Sequence, residues 1–171
     1  MTERREYYFI KGQAMLPEPY HLPAIGLPNI WLLNGVTFED DPDYGQLVSI
    51  QKLSGLHRAI GLRIIEKPEL MSGHELRFLR KELGLTQAAL AHKVQLCDQT
   101  IANYEKGVTP ITGPADALLR LTYVVSLVPD DAKAGLVKSV MVPASDDERP
   151  ARLPPVTRHK IVQGWEERLA A

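Results

Sequence analysis

Two carboxamide side chains, Gln99 and Asn103, lie four residues apart in a segment whose pattern predicts a helix over 99–106. Residues four apart share one face of an α-helix, so both amides would point the same way. A carboxamide can pair with N6 and N7 of adenine in the major groove of DNA through two hydrogen bonds. The pattern therefore indicates a helix that can read base edges, although outward polar residues also fit an ordinary surface helix.

The opposite side of this predicted helix carries Thr100, Ile101, Tyr104 and Glu105. Glu105 is an acidic residue on the inward side, where a charge needs a partner. Arg80 lies on the apolar stripe of the preceding predicted helix, and an unpaired buried guanidinium is costly. We therefore predict an ion pair between Arg80 and Glu105.

Local signals mark the ends of three consecutive helices. Ser72, with a glutamate three residues later, forms a capping-box sequence that opens the first helix, and Gly84 ends it. Thr86 predicts the N-cap of the second helix, and Asp98 predicts the N-cap of the third, which ends at Gly107. These signals indicate one longer helix followed by two short helices that are joined by a tight turn.

The first fifty or so residues predict a small β element. Residues 29–38 are rich in β-branched and aromatic types and contain the turn pair Asn34-Gly35, so they predict a hairpin. An acidic loop is expected at 39–45, and 46–50 predicts a further strand.

Ser54 predicts the N-cap of a helix over 55–66, and a proline follows that helix. Near the other end of the chain, residues 143–155 are rich in proline and predict a linker. The tail, 156–171, fits either an amphipathic helix or a short strand broken at Gly164.

Composition narrows the classes of protein that fit. Of the 171 residues, 44% are hydrophobic and 24% are charged, which is typical of a globular protein. No apolar run approaches the ~20 residues that cross a bilayer, and no signal peptide is visible, so we expect a cytoplasmic protein without membrane contact. Cys97 is the one cysteine, which excludes a disulfide framework; it is expected to be partly buried in the turn.

The net charge of −1 hides an uneven distribution. Residues 1–51 contain three Lys or Arg against seven Asp or Glu, whereas residues 52–106 contain nine against six. The basic surplus coincides with the predicted helices, as contact with phosphates requires.

Four pieces of sequence carry a resemblance to a known family: LRKELGLTQ at 79–87, LA at 90–91, TI at 100–101 and YEKG at 104–107. The segment from 72 to 123 is similar to the lambda-repressor-like (XRE-type) helix-turn-helix family. That family binds operator DNA as a regulator of transcription.

The resemblance implies roles residue by residue. Gln87 would contact a phosphate, whereas Asp98, Gln99 and Asn103 would face base edges, Asp98 as a cap or an acceptor from cytosine N4. The full set of implied DNA-contacting residues is Gln87, Asp98, Gln99, Thr100, Asn103, Lys106 and Thr109. The resemblance also implies that Arg80 and Glu105 form the structural ion pair of the family.

A wider resemblance covers GLPNIWLLNGV at 26–36, LHRAI at 56–60 and ELRFLRKEL at 75–83. These stretches look like the two-domain antitoxins of the MqsA type, which join a zinc-binding N-terminal domain to a helix-turn-helix. Those proteins are dimers that repress their own toxin–antitoxin operon. Here the cysteine pairs that hold zinc are missing, and DDPDYG at 40–45 stands where one pair is expected. We therefore expect an N-terminal domain without metal.

Together these patterns predict a mainly α protein, α+β overall, with a lambda-repressor-like helix-turn-helix domain and a small N-terminal β element. The expected divisions are a β-containing domain at 1–53, a connecting helix at 54–70, the helix-turn-helix domain at 71–128 and an extension at 129–171.

The predicted function is sequence-specific DNA binding as a homodimeric repressor of the antitoxin type that autoregulates its operon, with a nearby-encoded toxin as a possible partner. No enzymatic activity, cofactor or metal is expected. The alternative is a protein-binding adaptor or toxin neutraliser in which DNA binding is secondary.

Overall fold

The computed structural model describes residues 5–129, Lys133 and residues 164–168. The strands within these ranges are β1 (Glu6–Ile10), β2 (Tyr20–His21), β3 (Ile30–Leu32), β4 (Val36–Asp41), β5 (Gly45–Ile50) and β6 (Trp165–Arg168). The α-helices are α1 (Leu53–Glu66), α2 (Gly73–Glu82), α3 (Gln87–Lys93), α4 (Asp98–Glu105) and α5 (Gly113–Leu127), and one 3-10 helix spans Pro23–Ile25. The described part of the chain thus combines five helices with a β element that is larger than expected.

The larger sheet has the strand order β2-β3-β1-β6 and joins distant parts of the chain. Strand β1 runs parallel to β3 and antiparallel to β6, with Ile10 opposite Trp165. Trp165 is almost fully buried, and its indole N–H donates to the backbone carbonyl of Gln51 at 3.1 Å. Of the two alternatives for the tail, the strand is therefore found at 165–168. The remainder of the tail and the linker predicted at 143–155 lie outside the described residues.

The hairpin predicted around Asn34-Gly35 is wrong. The buried side-chain amide of Asn34 accepts a hydrogen bond from the backbone N–H of Ile10 at 2.6 Å and donates to the carbonyl of Ile10 at 3.0 Å. Gly35 has a φ of +71°, and a Cβ there would lie 2.8 Å from the ring of Trp165. The pair therefore anchors the chain between two sheets and does not form a turn. The Asn34 amide bonds to the backbone of Ile10, and the absence of a side chain at Gly35 makes room for the ring of Trp165.

The hairpin instead follows directly after Gly35 and is formed by β4 and β5. The strands pair in antiparallel register from Val36 opposite Ile50 to Asp41 opposite Gly45. The carboxylate of Asp41 accepts from the backbone N–H groups of Asp43 and Tyr44 at 2.8 and 2.9 Å, which closes the turn. Much of the predicted acidic loop is thus strand.

Helix α1 connects the sheets to the remaining helices and buries one stripe that includes Leu56, Ile60 and Ile64. The helix begins earlier than predicted, because the carbonyl of Lys52 already accepts from the backbone N–H groups of Gly55 and Leu56. Ser54 is consequently inside the first turn and is not the N-cap, a correction to the sequence prediction.

Helix α5 is fastened to the end of α1 by hydrogen bonds from Arg120, whose ion pair with Asp116 in α5 the sequence analysis did not predict. Arg120 donates to four backbone carbonyls at the end of α1 and just beyond it, at 2.6 to 3.0 Å. Its Nε lies 2.6 Å from Asp116, whose carboxylate also accepts from the backbone N–H of Met71 at 2.8 Å. The pair fixes the chain where it enters α2.

Candidate nucleic-acid interface

One carboxylate, that of Glu105 in α4, joins three helices. The Nε and Nη2 of Arg80 in α2 donate to its two oxygens at 2.5 and 3.0 Å, as the sequence analysis predicted for this pair. Gln87 at the start of α3 donates to the same carboxylate at 2.9 Å. Arg80 also donates to the backbone carbonyl of Leu85, in the connection between α2 and α3, at 2.8 Å. This network sets the positions of the helices relative to one another.

The network is largely shielded from water. The side chain of Glu105 is 4% exposed and that of Arg80 is 12% exposed. Burial opposes the ionisation of Glu105, but the hydrogen bonds from Arg80 and Gln87 and the charges of Arg80 and Arg77 outweigh it, so its pKa lies below the ordinary value. Glu105 is therefore a carboxylate at neutral pH and holds both donors in place.

The first two helices of the motif begin at the predicted caps. The hydroxyl of Ser72 accepts from the N–H of Glu75 at 3.4 Å while the Glu75 carboxylate accepts from the N–H of Ser72 at 2.6 Å, which is a complete capping box. The hydroxyl of Thr86 accepts from the N–H of Ala89 at 3.1 Å. These caps satisfy backbone donors that α2 and α3 would otherwise leave unpaired.

The cap predicted for the third helix is wrong. Cys97 occupies the N-cap position of α4, and Asp98 is the first residue of the helix. The carboxylate of Asp98 accepts from the backbone N–H of the next residue, Gln99, at 2.9 Å and leaves the helix without a side-chain cap. Asp98 is exposed, so its remaining oxygen is open to another donor.

The outward face of α4 displays the two predicted amides. Gln99 is exposed and Asn103 is partly exposed, and the side-chain N–H of Gln99 donates to the amide oxygen of Asn103 at 2.9 Å. On the opposite face Ile101 and Tyr104 are buried. The mutual hydrogen bond orients the two amides and leaves the oxygen of Gln99 and the N–H groups of Asn103 to bind a ligand.

The other predicted contact residues divide into two groups. Lys106, directly after α4, and Thr109, in the loop that follows, are exposed and lie on the C-terminal side of the helix. Thr100 is partly exposed near the N-terminus of α4, whereas Gln87 is turned toward Glu105. Sequence reasoning missed this second partner of Glu105, because no signal in the sequence shows that the amide of Gln87, in the first turn of α3, turns inward.

Cys97 is exposed, in contrast to the partial burial predicted for it. Its Sγ lies 2.9 Å from the hydroxyl oxygen of Thr100. Hydrogen bonds from the hydroxyl and the backbone N–H of Thr100 lower the pKa of the Cys97 thiol below its ordinary value. The thiol therefore lies beside Thr100 at the exposed start of α4 instead of packing in the core.

Among residues 5–129, 133 and 164–168, no three His, Cys, Asp or Glu side chains are placed to hold a metal ion together. Within those ranges, every helix is too short or too polar to span a bilayer.

Comparison with known proteins bears on the helices alone. No curated protein and no solved structure matches the chain significantly, so the resemblance to MqsA-type antitoxins stays a prediction. Residues 76–115, from α2 to the first turn of α5, match the family model described as helix-turn-helix. This part of the chain is therefore similar to the XRE-type helix-turn-helix domains of DNA-binding transcription regulators.

Proposed function

We propose that this protein is a sequence-specific transcription regulator that inserts α4 into the major groove of operator DNA. The observation that carries the proposal is the oriented pair of amides, Gln99 and Asn103, on the outward face of α4. The buried network of Arg80 and Glu105 behind that face supports the proposal, because a reading helix must be held firmly by its neighbours.

The proposed contacts follow from the exposed polar groups. Gln99 and Asn103 read adenine, and Asp98 accepts from the N4 amino group of a cytosine. The side-chain amide of Gln87 has a second N–H that is not used by its bond to Glu105, and this N–H contacts a phosphate. Lys106 and Thr109 contact the DNA backbone on the C-terminal side of α4. Thr100 adds a contact beside the N-terminus of α4.

We further propose that the protein acts as a homodimer on a palindromic operator, since one such domain buries too little DNA for tight specific binding. Helix α5 exposes an uncharged stripe that includes Leu118, Leu121 and Val124. The stripe borders a groove lined by Leu83 and Leu85, whose lining also includes Lys93 and Lys133. An uncharged apolar stripe is complementary to itself, as a two-fold interface requires, and half-sites about 10 bp apart, or a multiple of that, are expected.

The experiment starts by selecting binding sites from a random pool of duplex DNA, since the operator is unidentified. The selected duplex is then titrated with the unaltered protein and with the double variant Gln99→Ala, Asn103→Ala. Each lost base contact contributes ~1–3 kcal/mol, so the double variant should bind at least about tenfold more weakly while its melting temperature is unchanged. Gln46→Ala, an exposed amide outside the motif, is the matched control.

Two results would overturn the proposal. One is a selection that enriches no sequence, and the other is a double variant that binds the selected duplex as tightly as the unaltered protein. The dimer is tested separately: Leu121→Glu should give a monomer in sedimentation and weaken binding to the palindrome more than binding to a single half-site.

The finer proposal, on the basis of the antitoxin resemblance alone, is that the protein represses its own operon. Its test is binding to the DNA directly upstream of its own coding sequence. A selected palindrome that is missing from that DNA would reject autoregulation and leave the reading of DNA by α4 intact.

A further inference from the structure

We propose that the β4–β5 hairpin is the docking site for an extended, cationic segment of a partner protein. The two strands pair with one another and with no other strand of the described residues. Residues 37–40 and 45–49, which make up most of the ribbon, are exposed. A two-stranded ribbon is marginally stable in water. Near its base the ring of Phe38 meets that of Tyr20 edge-on, with ring centroids 5.7 Å apart, but most of the ribbon is exposed and is therefore suited to receive a third strand.

Both faces of the ribbon carry exposed apolar side chains. Phe38 and Val48 are directly opposite in the register and continue the face of the buried Val36, and Phe38 is 44% exposed. Leu47 is exposed on the other face, and Tyr44 at the tip is 81% exposed. This much uncovered apolar surface indicates a partner that covers it with apolar groups of its own.

The charge of the ribbon indicates the chemistry of that partner. Glu39, Asp40 and Asp43 are exposed, and the ion pairs within the described ranges do not involve them. No lysine or arginine occurs between Lys11 and Lys52. A partner strand with lysine or arginine would therefore gain in electrostatic energy, whereas the hairpin of a second copy would bring like charges together.

The outer edges of β4 and β5 give the mode of binding. Strands with unpaired edges bind extended peptides through main-chain hydrogen bonds, while alternate side chains give specificity. The competing occupant is a basic stretch of this same chain, residues 149–163, which contains four Lys or Arg and no Asp or Glu. Its three prolines lack the N–H that a strand edge needs, which favours a separate protein.

The test uses short synthetic peptides and the full chain. The probe alternates lysine and valine, and two control peptides alternate glutamate with valine and lysine with serine. Backbone amide shifts in the NMR spectrum report the site, and fluorescence anisotropy reports affinity. The lysine–valine peptide should shift amides of β4 and β5, bind at least about tenfold more tightly than either control, and lose this advantage when its backbone is N-methylated.

Charge reversal at the site provides the decisive comparison. The double variant Glu39→Lys, Asp40→Lys should weaken binding at least about tenfold, whereas Glu18→Lys with Glu69→Lys, an equal change in charge at exposed positions elsewhere, should not. Equal weakening by both pairs would reduce the effect to net charge and overturn the proposal.

Two further arms complete the test. In the first, the basic residues of 149–163 are replaced by serine. If the lysine–valine peptide binds only to that variant, the stretch 149–163 itself occupies the hairpin, and the proposal is overturned. Glu39→Lys with Asp40→Lys should change binding of the selected DNA duplex no more than the control pair does, so failure here and failure of the proposed DNA-binding function are separable.

Discussion

Replacing Arg80 by alanine should be the most damaging single change to the helix-turn-helix domain. The substitution removes two hydrogen bonds to Glu105 and one to the carbonyl of Leu85. The carboxylate that remains is 4% exposed and keeps Gln87 as its donor. Removing one partner of a buried pair costs ~3–5 kcal/mol, because the other charge stays buried without compensation. Since typical domains are stable by ~5–15 kcal/mol, the Arg80→Ala protein should be close to unfolding.

The assay is urea denaturation followed by circular dichroism, at neutral and at acid pH. The pKa of Glu105 is lowered in the folded chain, so the stabilisation from its ionisation is present above the unfolded pKa of about 4.3 and is lost as pH falls through the folded value. The gap between the unaltered protein and Arg80→Ala should therefore narrow in acid. Lys81→Ala, at an exposed position of the same helix, is the control and should change stability by less than ~0.5 kcal/mol. An unchanged midpoint for Arg80→Ala at neutral pH, or a gap of constant size across pH, would refute the reasoning.

Two other predictions concern the contacts of α5. Asp116→Asn weakens the bonds to Arg120 and to the backbone N–H of Met71, and should lower stability by ~1–3 kcal/mol in the same denaturation assay; an unaltered midpoint would show that this link is dispensable. Burial, followed by the charge of Glu82, raises the pKa of Tyr123 to about 12. Because the unfolded chain releases this proton near pH ~10, stability should be complete below that pH and fall as the pH rises toward the folded value, and Tyr123→Phe should lose less stability across that window. Identical alkaline losses in both proteins would contradict the assignment.

The helix-turn-helix could be predicted because its signals are local. The caps at Ser72 and Thr86 act within one turn of the residues that they satisfy, so spacing alone reveals them. The pair of Arg80 and Glu105 was also predictable, since each lies on the inward stripe of its own helix. At Asp98 the same logic failed. The N-cap of α4 is Cys97, one residue before the predicted cap, and the carboxylate of Asp98 bonds to the backbone N–H of its neighbour Gln99.

The sheets could not be predicted in this way, because their contacts join residues far apart in sequence. Asn34-Gly35 has the composition of a turn, and only the position of Ile10 and the ring of Trp165 shows that it serves the core. The pair of Asp116 and Arg120 had a local signal, opposite charges four residues apart on one helix, but nothing local shows that Arg120 reaches the end of α1.

The pairing of β1 with β6 has a consequence for the order in which the protein is made. The two strands lie on either side of the five described helices along the sequence, with Tyr7 opposite Arg168. During synthesis the helices leave the ribosome before the strand that completes the sheet, and domains generally fold as they emerge. A nascent chain can thus assemble its helix-turn-helix before Trp165 is added, and a ribosome that stalls in between would release a product with folded helices and an incomplete sheet.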